Sequence, residues 1–225
     1  MSSNRLLAFF FALAVLLGGL AVGPTVVQAQ TDAEDPSTNL FAYLGQEHSQ
    51  VMILFTRAQN AQGQEERDQI FQDLARAMLA HDAGKKAVIY PVITNNGLGM
   101  VFAEGDHLAD LALWELNHMP KNSDRWLAKL SNLKDHVGNH VHHETTMGYP
   151  QALAALGEPA TDQLEQFKSE EQNVMNRIDS IGLNRYLAET ICNHSTMEDQ
   201  GACILQGSSS GDSGGDSGSG GSSQQ

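Results

Sequence analysis

Cysteine, aromatic side chains and basic residues are all scarce in this chain of 225 residues. It has two cysteines, and they do not form the C-x-x-C pattern typical of metal ligands. Lysine and arginine total 13 against 27 aspartates and glutamates, which gives a formal charge of −14 at pH 7. Because so acidic a chain repels phosphates, we expect no nucleic-acid partner. A nucleophile elbow, a phosphate-binding glycine loop and an H-E-x-x-H pair are also missing, so no directed enzyme reaction is indicated.

The first 29 residues have the layout of a secretory signal peptide. Arg5 supplies a positive charge, an uncharged apolar run covers residues 6–23, and Val27-Gln28-Ala29 offers a cleavage site after Ala29. The alternative is an uncleaved membrane anchor, because the run is close to the length that spans a bilayer. In either case we expect an exported protein, periplasmic or secreted, with no stable membrane span after signal cleavage.

The C-terminal end also differs from a folded domain. Residues 207–225 contain only Gly, Ser, Asp and Gln, so they have no apolar side chains to bury and predict a flexible tail. A linker is expected over 30–37. Cys192 and Cys203 lie near the end of the remaining domain, where an exported protein would join them as a disulfide. Two free thiols are the alternative.

Between these ends, apolar residues recur at helical spacing, and no alternating strand of useful length is found. The cluster from Asp35 to Thr38 is a helix-start signal. The spacing predicts helices over 38–61, 64–89, 102–119, 124–147 and 161–181, with a short helix near 183–191. Since the links between them are short, the expected fold class is all-α, an antiparallel bundle.

Two histidine-containing stretches repeat at a spacing of 59 residues. "HDAGKKAVIYP" begins at His81 and "HVHHETTMGYP" at His140, and both end in Tyr-Pro. His48 and His107 are separated by the same 59 residues. Each repeat unit is then a helical hairpin with one histidine early on its first helix and one late on its second. Two such hairpins predict a four-helix bundle with four histidines in one layer.

The chemistry of such a layer favours a metal ion. Four imidazoles in an apolar core without partners would cost several kcal/mol, and coordination satisfies them. Glu144 follows His140 by one helical turn and projects from the same face. Imidazole and carboxylate ligands together suit iron, manganese or zinc.

This pattern resembles the hemerythrin-like, or HHE cation-binding, domains over about residues 38–150. The resemblance implies a four-helix bundle with a non-heme di-iron centre. It also implies reversible O2 binding, iron or oxygen sensing, or handling of reactive oxygen and nitrogen species. Residues 151–206 lie outside the resemblance as a C-terminal helical extension, which either covers the bundle end or makes a dimer contact. Carried over by position, the metal ligands would be His48, His81, His107, His140 and Glu144.

Lys85 is the main departure from the family pattern, because the family usually has a second carboxylate there. A buried ammonium would be repelled by metal ions. Three outcomes are open: Asp82 supplies the missing carboxylate, or the site holds one metal, or the metal is lost and Lys85 pairs with Glu144. A single ion would use His107, His140, Glu144 and perhaps His48. His136 and His143 are less favoured replacement ligands.

The expected function is therefore an exported non-heme iron protein, with a di-iron or single-iron site and with manganese or zinc possible. It would bind O2 or a related small diatomic ligand, or store or sense metal. The rival hypothesis is a metal-free helical interaction or structural module with a degenerate site. The position of the Lys85 ammonium separates the two hypotheses.

Overall fold

The computed structural model describes residues 35–93 and 97–193, and this part of the chain is helical without strands. A short 3₁₀ helix, Tyr90–Val92, follows the second helix, and a π-helical turn, Glu144–Gly148, joins the fourth to the fifth. The α-helices are α1 (Leu40–Asn60), α2 (Gln64–Val88), α3 (Leu98–His118), α4 (Asp124–His143), α5 (Tyr149–Leu156), α6 (Thr161–Ile181) and α7 (Leu183–Asn193). The expected all-α class is confirmed.

Several helix ends follow capping chemistry. The side chain of Asn39 accepts hydrogen bonds from the backbone N–H groups of Phe41 and Ala42, so α1 begins after Asn39 rather than within the predicted cluster Asp35–Thr38. Ser123 caps α4 by accepting from the Trp126 N–H, as the sequence allowed. The start of α3 was predicted four residues late, because Leu98 follows Gly97, which takes the left-handed backbone with φ 71°.

The predicted end of the fourth helix is wrong. The α-helical pattern stops at His143, continues as the π-helical turn, and resumes as α5 through Pro150. Proline at the start of α5 is tolerated because the first turn of a helix has unpaired N–H groups in any case. Glu144 therefore lies in a widened turn, a feature often found at functional sites.

The helices pack in a definite order. α1 contacts α2 and α4, and α3 contacts α2 and α4. α6 lies along α2 and also contacts α1, while α7 packs on α3 and α6. The close approach of α6 uses Gly84, because a side-chain Cβ there would lie 2.6 Å from Phe167 Cζ. The helices of the C-terminal extension thus cover the sides of α2 and α3.

Two apolar clusters form the core. One lies around Phe55, Phe71 and Trp126, and the other around Leu40, Tyr149 and Phe167. On each of α1, α2, α3 and α6 the chain passes between the clusters through polar residues. We call these residues, with their partners at the end of α4, the polar layer: Glu47, His48, His81, Asp82, Lys85, Asp106, His140, Glu144 and Glu171.

Some expectations fall outside the described residues, namely the signal peptide, the 207–225 tail and Cys203. Cys192, near the end of α7, is disulfide-bonded. Among the described helices, none is long and apolar enough to cross a membrane.

Candidate metal centre

Lys85 lies at the centre of the polar layer with a side chain only 2% exposed. Its Nζ donates to Asp106 Oδ1 and Glu144 Oε1, both at 2.9 Å, and lies 3.1 Å from Asp82 Oδ1. An ammonium has three N–H donors, and here three carboxylates surround them. Burial favours the neutral amine, but the charges of Asp106, Asp82 and Glu144 outweigh it and raise the pKa of Lys85 well above its usual value. The lysine is therefore a charged ammonium.

His140 and Tyr90 complete the contacts of the same carboxylates. His140 Nε2 is 3.0 Å from both Asp106 Oδ1 and Glu144 Oε1. The Tyr90 hydroxyl lies 2.7 Å from Asp106 Oδ2 and 2.6 Å from Glu144 Oε1. Burial opposes the charged imidazole, but the hydrogen bonds to Asp106 and Glu144 raise the pKa of His140 to about 9. These residues form what we call the lysine cluster: Asp82, Lys85, Tyr90, Asp106, His140 and Glu144.

The backbone makes room for the His140 ring. A Cβ at Gly105 would lie 2.5 Å from His140 Nδ1, so only glycine allows this ring to pack against α3. Glu144 is fully buried in the π-helical turn. Burial favours its neutral form, but the Lys85 charge and the bond to His140 hold the pKa of Glu144 well below its usual value.

His48 and His81 form a second feature of the layer. Their Nε2 atoms are 3.0 Å apart, and the His48 Nε2 also lies 3.3 Å from the Tyr149 hydroxyl. Burial lowers the pKa of His48 to about 3 and that of His81 to about 4. Both rings are therefore neutral near pH 7, the state in which imidazole binds metals.

On its other side, His81 faces a pair of carboxyl groups. Its Nδ1 is 2.7 Å from Glu47 Oε2, and Glu171 of α6 completes a group whose donor atoms lie within 4.8 Å of one another. Tyr43 donates to Glu171 Oε2 at 2.7 Å. Burial, followed by the hydrogen bond between the two carboxyls, raises the pKa of Glu171 to about 8. We call Glu47, His81 and Glu171 the outer cluster.

The two clusters differ in their internal charge. The lysine cluster contains the ammonium of Lys85 between its carboxylates. Within the described part of the chain, neither Glu47 nor Glu171 forms an ion pair with a lysine or arginine. The outer cluster thus brings two carboxyl groups together with no cationic side chain bound to them.

A small cavity of about 30 Å³ lies beside both clusters. A space of this size holds about two water-sized molecules. The His136 ring, which bonds to the Gly105 carbonyl at 3.0 Å, closes part of it. Its walls are formed by His48, Val51, Met78, His81, Asp82, Lys85, Gly105, Asp106, Ala109, His136, Val137, His140 and Val141.

The structure brings together most of the residues singled out in the sequence. His48, His81, Asp82, His140 and Glu144 all lie in the polar layer. His107 is buried but does not line the cavity, and Asp106 beside it meets Lys85 and His140 instead. His143 is exposed.

Sequence reasoning missed three contributors, Asp106, Tyr90 and Glu171. The repeat held a signal for the first two, since Glu47 and Asp106 occupy matching positions, as do Tyr90 and Tyr149. Glu171 lies outside the repeat, so no spacing marked it.

The di-iron centre implied by the resemblance does not fit these residues. Its carboxylates would have to bind two cations, yet Asp106 and Glu144 already bind Lys85. The buried side-chain oxygens left without a hydrogen-bond partner in the described residues are Asp110 Oδ1 and Gln151 Oε1, and both lie outside the lysine cluster. A second metal ion would therefore have to displace the ammonium.

Comparisons with known proteins add no relative. The chain matches no protein-family model, and searches of curated proteins and of solved structures give no significant match.

Proposed function

We propose that this chain is an exported, hemerythrin-like protein that holds one non-heme metal ion, with the Lys85 ammonium in the place of a second. The ion is iron by the resemblance, and manganese or zinc are compatible with the same ligands. The observation that carries the proposal is the pair of histidine–carboxylate groups in the polar layer, each with its donor atoms within 4.8 Å of one another.

The arrangement of helices supports the same family. Contacts run from α1 to α2, α2 to α3, α3 to α4 and α4 back to α1. That order is the ring of an antiparallel four-helix bundle, in which metal sites are built from side chains of facing helices. We propose that α1–α4 form this bundle and that α6 and α7 cover its sides.

The ligand of the metal is proposed to be O2 or a related small diatomic molecule, with storage or sensing of metal as the other role in this class. The cavity of about 30 Å³ has the size for such a ligand and touches His81, Lys85 and His140. Its apolar walls, including Val51 and Val137, favour a small uncharged molecule. The bound ion would supply the affinity for the diatomic ligand, and the chain would exclude bulk water from it.

Metal analysis of the purified full chain tests the proposal. After expression in medium replete with iron, manganese and zinc, we expect about one ion per chain, because Lys85 already neutralises part of the carboxylate charge. Nitric oxide added to iron-loaded protein should change the optical spectrum. A chain free of all three metals would refute metal binding, and two ions per chain would refute the role of Lys85.

The alternative is a metal-free helical interaction or structural module. It is favoured by the 2.9 Å bond from Lys85 to Glu144, which closes the centre of the layer without a metal. Under this alternative, a chelator would leave the unfolding temperature unchanged, whereas a bound metal would make it fall.

A further inference from the structure

We infer that the outer cluster, Glu47, His81 and Glu171, is the binding site for a divalent first-row transition metal. The inference rests on the proposed metal-binding function and names the residues that hold the ion. One of them comes from α6, outside the repeated hairpins.

Three helices bring these donors to one point. Glu47 lies on α1, His81 on α2 and Glu171 on α6, and their donor atoms lie within 4.8 Å of one another. His81 Nδ1 is already 2.7 Å from Glu47 Oε2. One imidazole and two carboxylates form a mixed donor set that suits zinc, iron or manganese.

The charge of the outer cluster favours a cation. Two carboxylates at close range repel each other, and the repulsion grows in a partly buried site. In the lysine cluster an ammonium offsets this repulsion. In the outer cluster no lysine or arginine of the described chain pairs with Glu47 or Glu171, so a metal ion would provide the missing positive charge.

Each candidate ligand also has a second partner that fixes its direction. The other nitrogen of His81 lies 3.0 Å from His48 Nε2. Tyr43 donates to Glu171 Oε2 at 2.7 Å. Such outer contacts hold metal ligands in orientation and raise affinity.

Access distinguishes this site from the lysine cluster. The Glu47 side chain is 24% exposed, whereas Glu144 is 0% exposed and Lys85 2%. An ion can therefore reach the outer cluster from solvent without displacing the ammonium.

The test compares Glu171→Gln with Glu165→Gln. Glutamine at 171 can still accept from Tyr43 and donate to Glu47, so the fold should be kept. Glu165 is on the same helix with a side chain 70% exposed, so its variant makes the same charge change away from the site. Zn²⁺ binding to metal-stripped full chain would be measured by calorimetry, and Co²⁺ binding by visible absorption.

Glu171→Gln is expected to weaken Zn²⁺ binding by at least about tenfold and to change the Co²⁺ spectrum, because one ligand is lost. Glu165→Gln should bind both ions like the wild type. If the wild type binds and Glu171→Gln binds equally well, the site assignment is wrong while metal binding stands. If the wild type itself binds neither ion, the proposed function fails with it.

Discussion

At the scale of single residues, Lys85 decides what the polar layer can hold. Its ammonium is bound by three carboxylates in a region that is almost fully buried. Removing one partner of such a buried group leaves uncompensated charge, which typically costs about 3–5 kcal/mol. The lysine therefore replaces an ion as the positive centre of these carboxylates, rather than decorating a metal site.

His140 gives this network a dependence on pH. The pKa of His140 is raised to about 9 from an ordinary value of 6.5. Its stabilising contribution is therefore complete below about pH 6.5 and is lost as the pH rises through about 9. For metal-free protein, the free-energy difference between the wild type and His140→Gln should shrink by up to about 3 kcal/mol across this range.

Urea unfolding at several pH values in the presence of a chelator measures that difference. His136→Gln, which changes a neighbouring ring with no carboxylate partner, is the matched control. A difference between wild type and His140→Gln that stays constant from pH 6 to pH 10 would contradict the charged state assigned to His140.

The residues of the layer were only partly predictable from sequence. The histidine repeat identified His48, His81 and His140, because their spacing survives in the chain itself. It did not distinguish Asp106 from His107, since neighbouring residues on a helix point about 100° apart and a small rotation changes which of them faces inward. That rotation depends on packing between helices, which a sequence pattern does not contain.

At the scale of elements, the periodic helices were predicted well and their junctions poorly. The helix over 161–181 was predicted with its observed bounds, because apolar side chains recur regularly and Gly182 ends it with a positive φ. The turn at Glu144–Gly148 was missed, since a π-helical turn inserts extra residues without a composition signal. Pro150 was taken as a stop, although it begins the next helix.

The junction of α2 with α6 supplies a test at this scale. Gly84→Ala should destabilise the fold by about 1–3 kcal/mol, because the new methyl group would overlap the buried Phe167 ring. Gly45→Ala on α1, where no atom lies within 4 Å of the new Cβ, should instead stabilise by up to about 1 kcal/mol.

Thermal and urea unfolding of the two variants check this prediction. The displaced α6 should also weaken metal binding in Gly84→Ala, because Glu171 lies one turn beyond Phe167 on the same helix. Equal stabilisation by both alanines would mean that α6 does not pack closely on α2.

At the scale of the whole molecule, a polar layer divides two apolar clusters and extends from α4 across to α6. The sequence predicted a layer of histidines between apolar helices. It did not predict that the layer would continue onto α6, because Glu171 is far from the repeat and joins it only through tertiary packing. The account therefore extends the resemblance to part of the chain that the repeat does not cover.

The metal-to-protein ratio of the wild type and Lys85→Glu, prepared side by side, tests the central claim most directly. The claim is that the Lys85 ammonium stands where a second ion would bind. We expect the ratio to rise from about one to about two, because the substitution removes the competing cation and adds a carboxylate beside Asp106, His140 and Glu144. A folded Lys85→Glu protein with the same metal content as the wild type would contradict the claim.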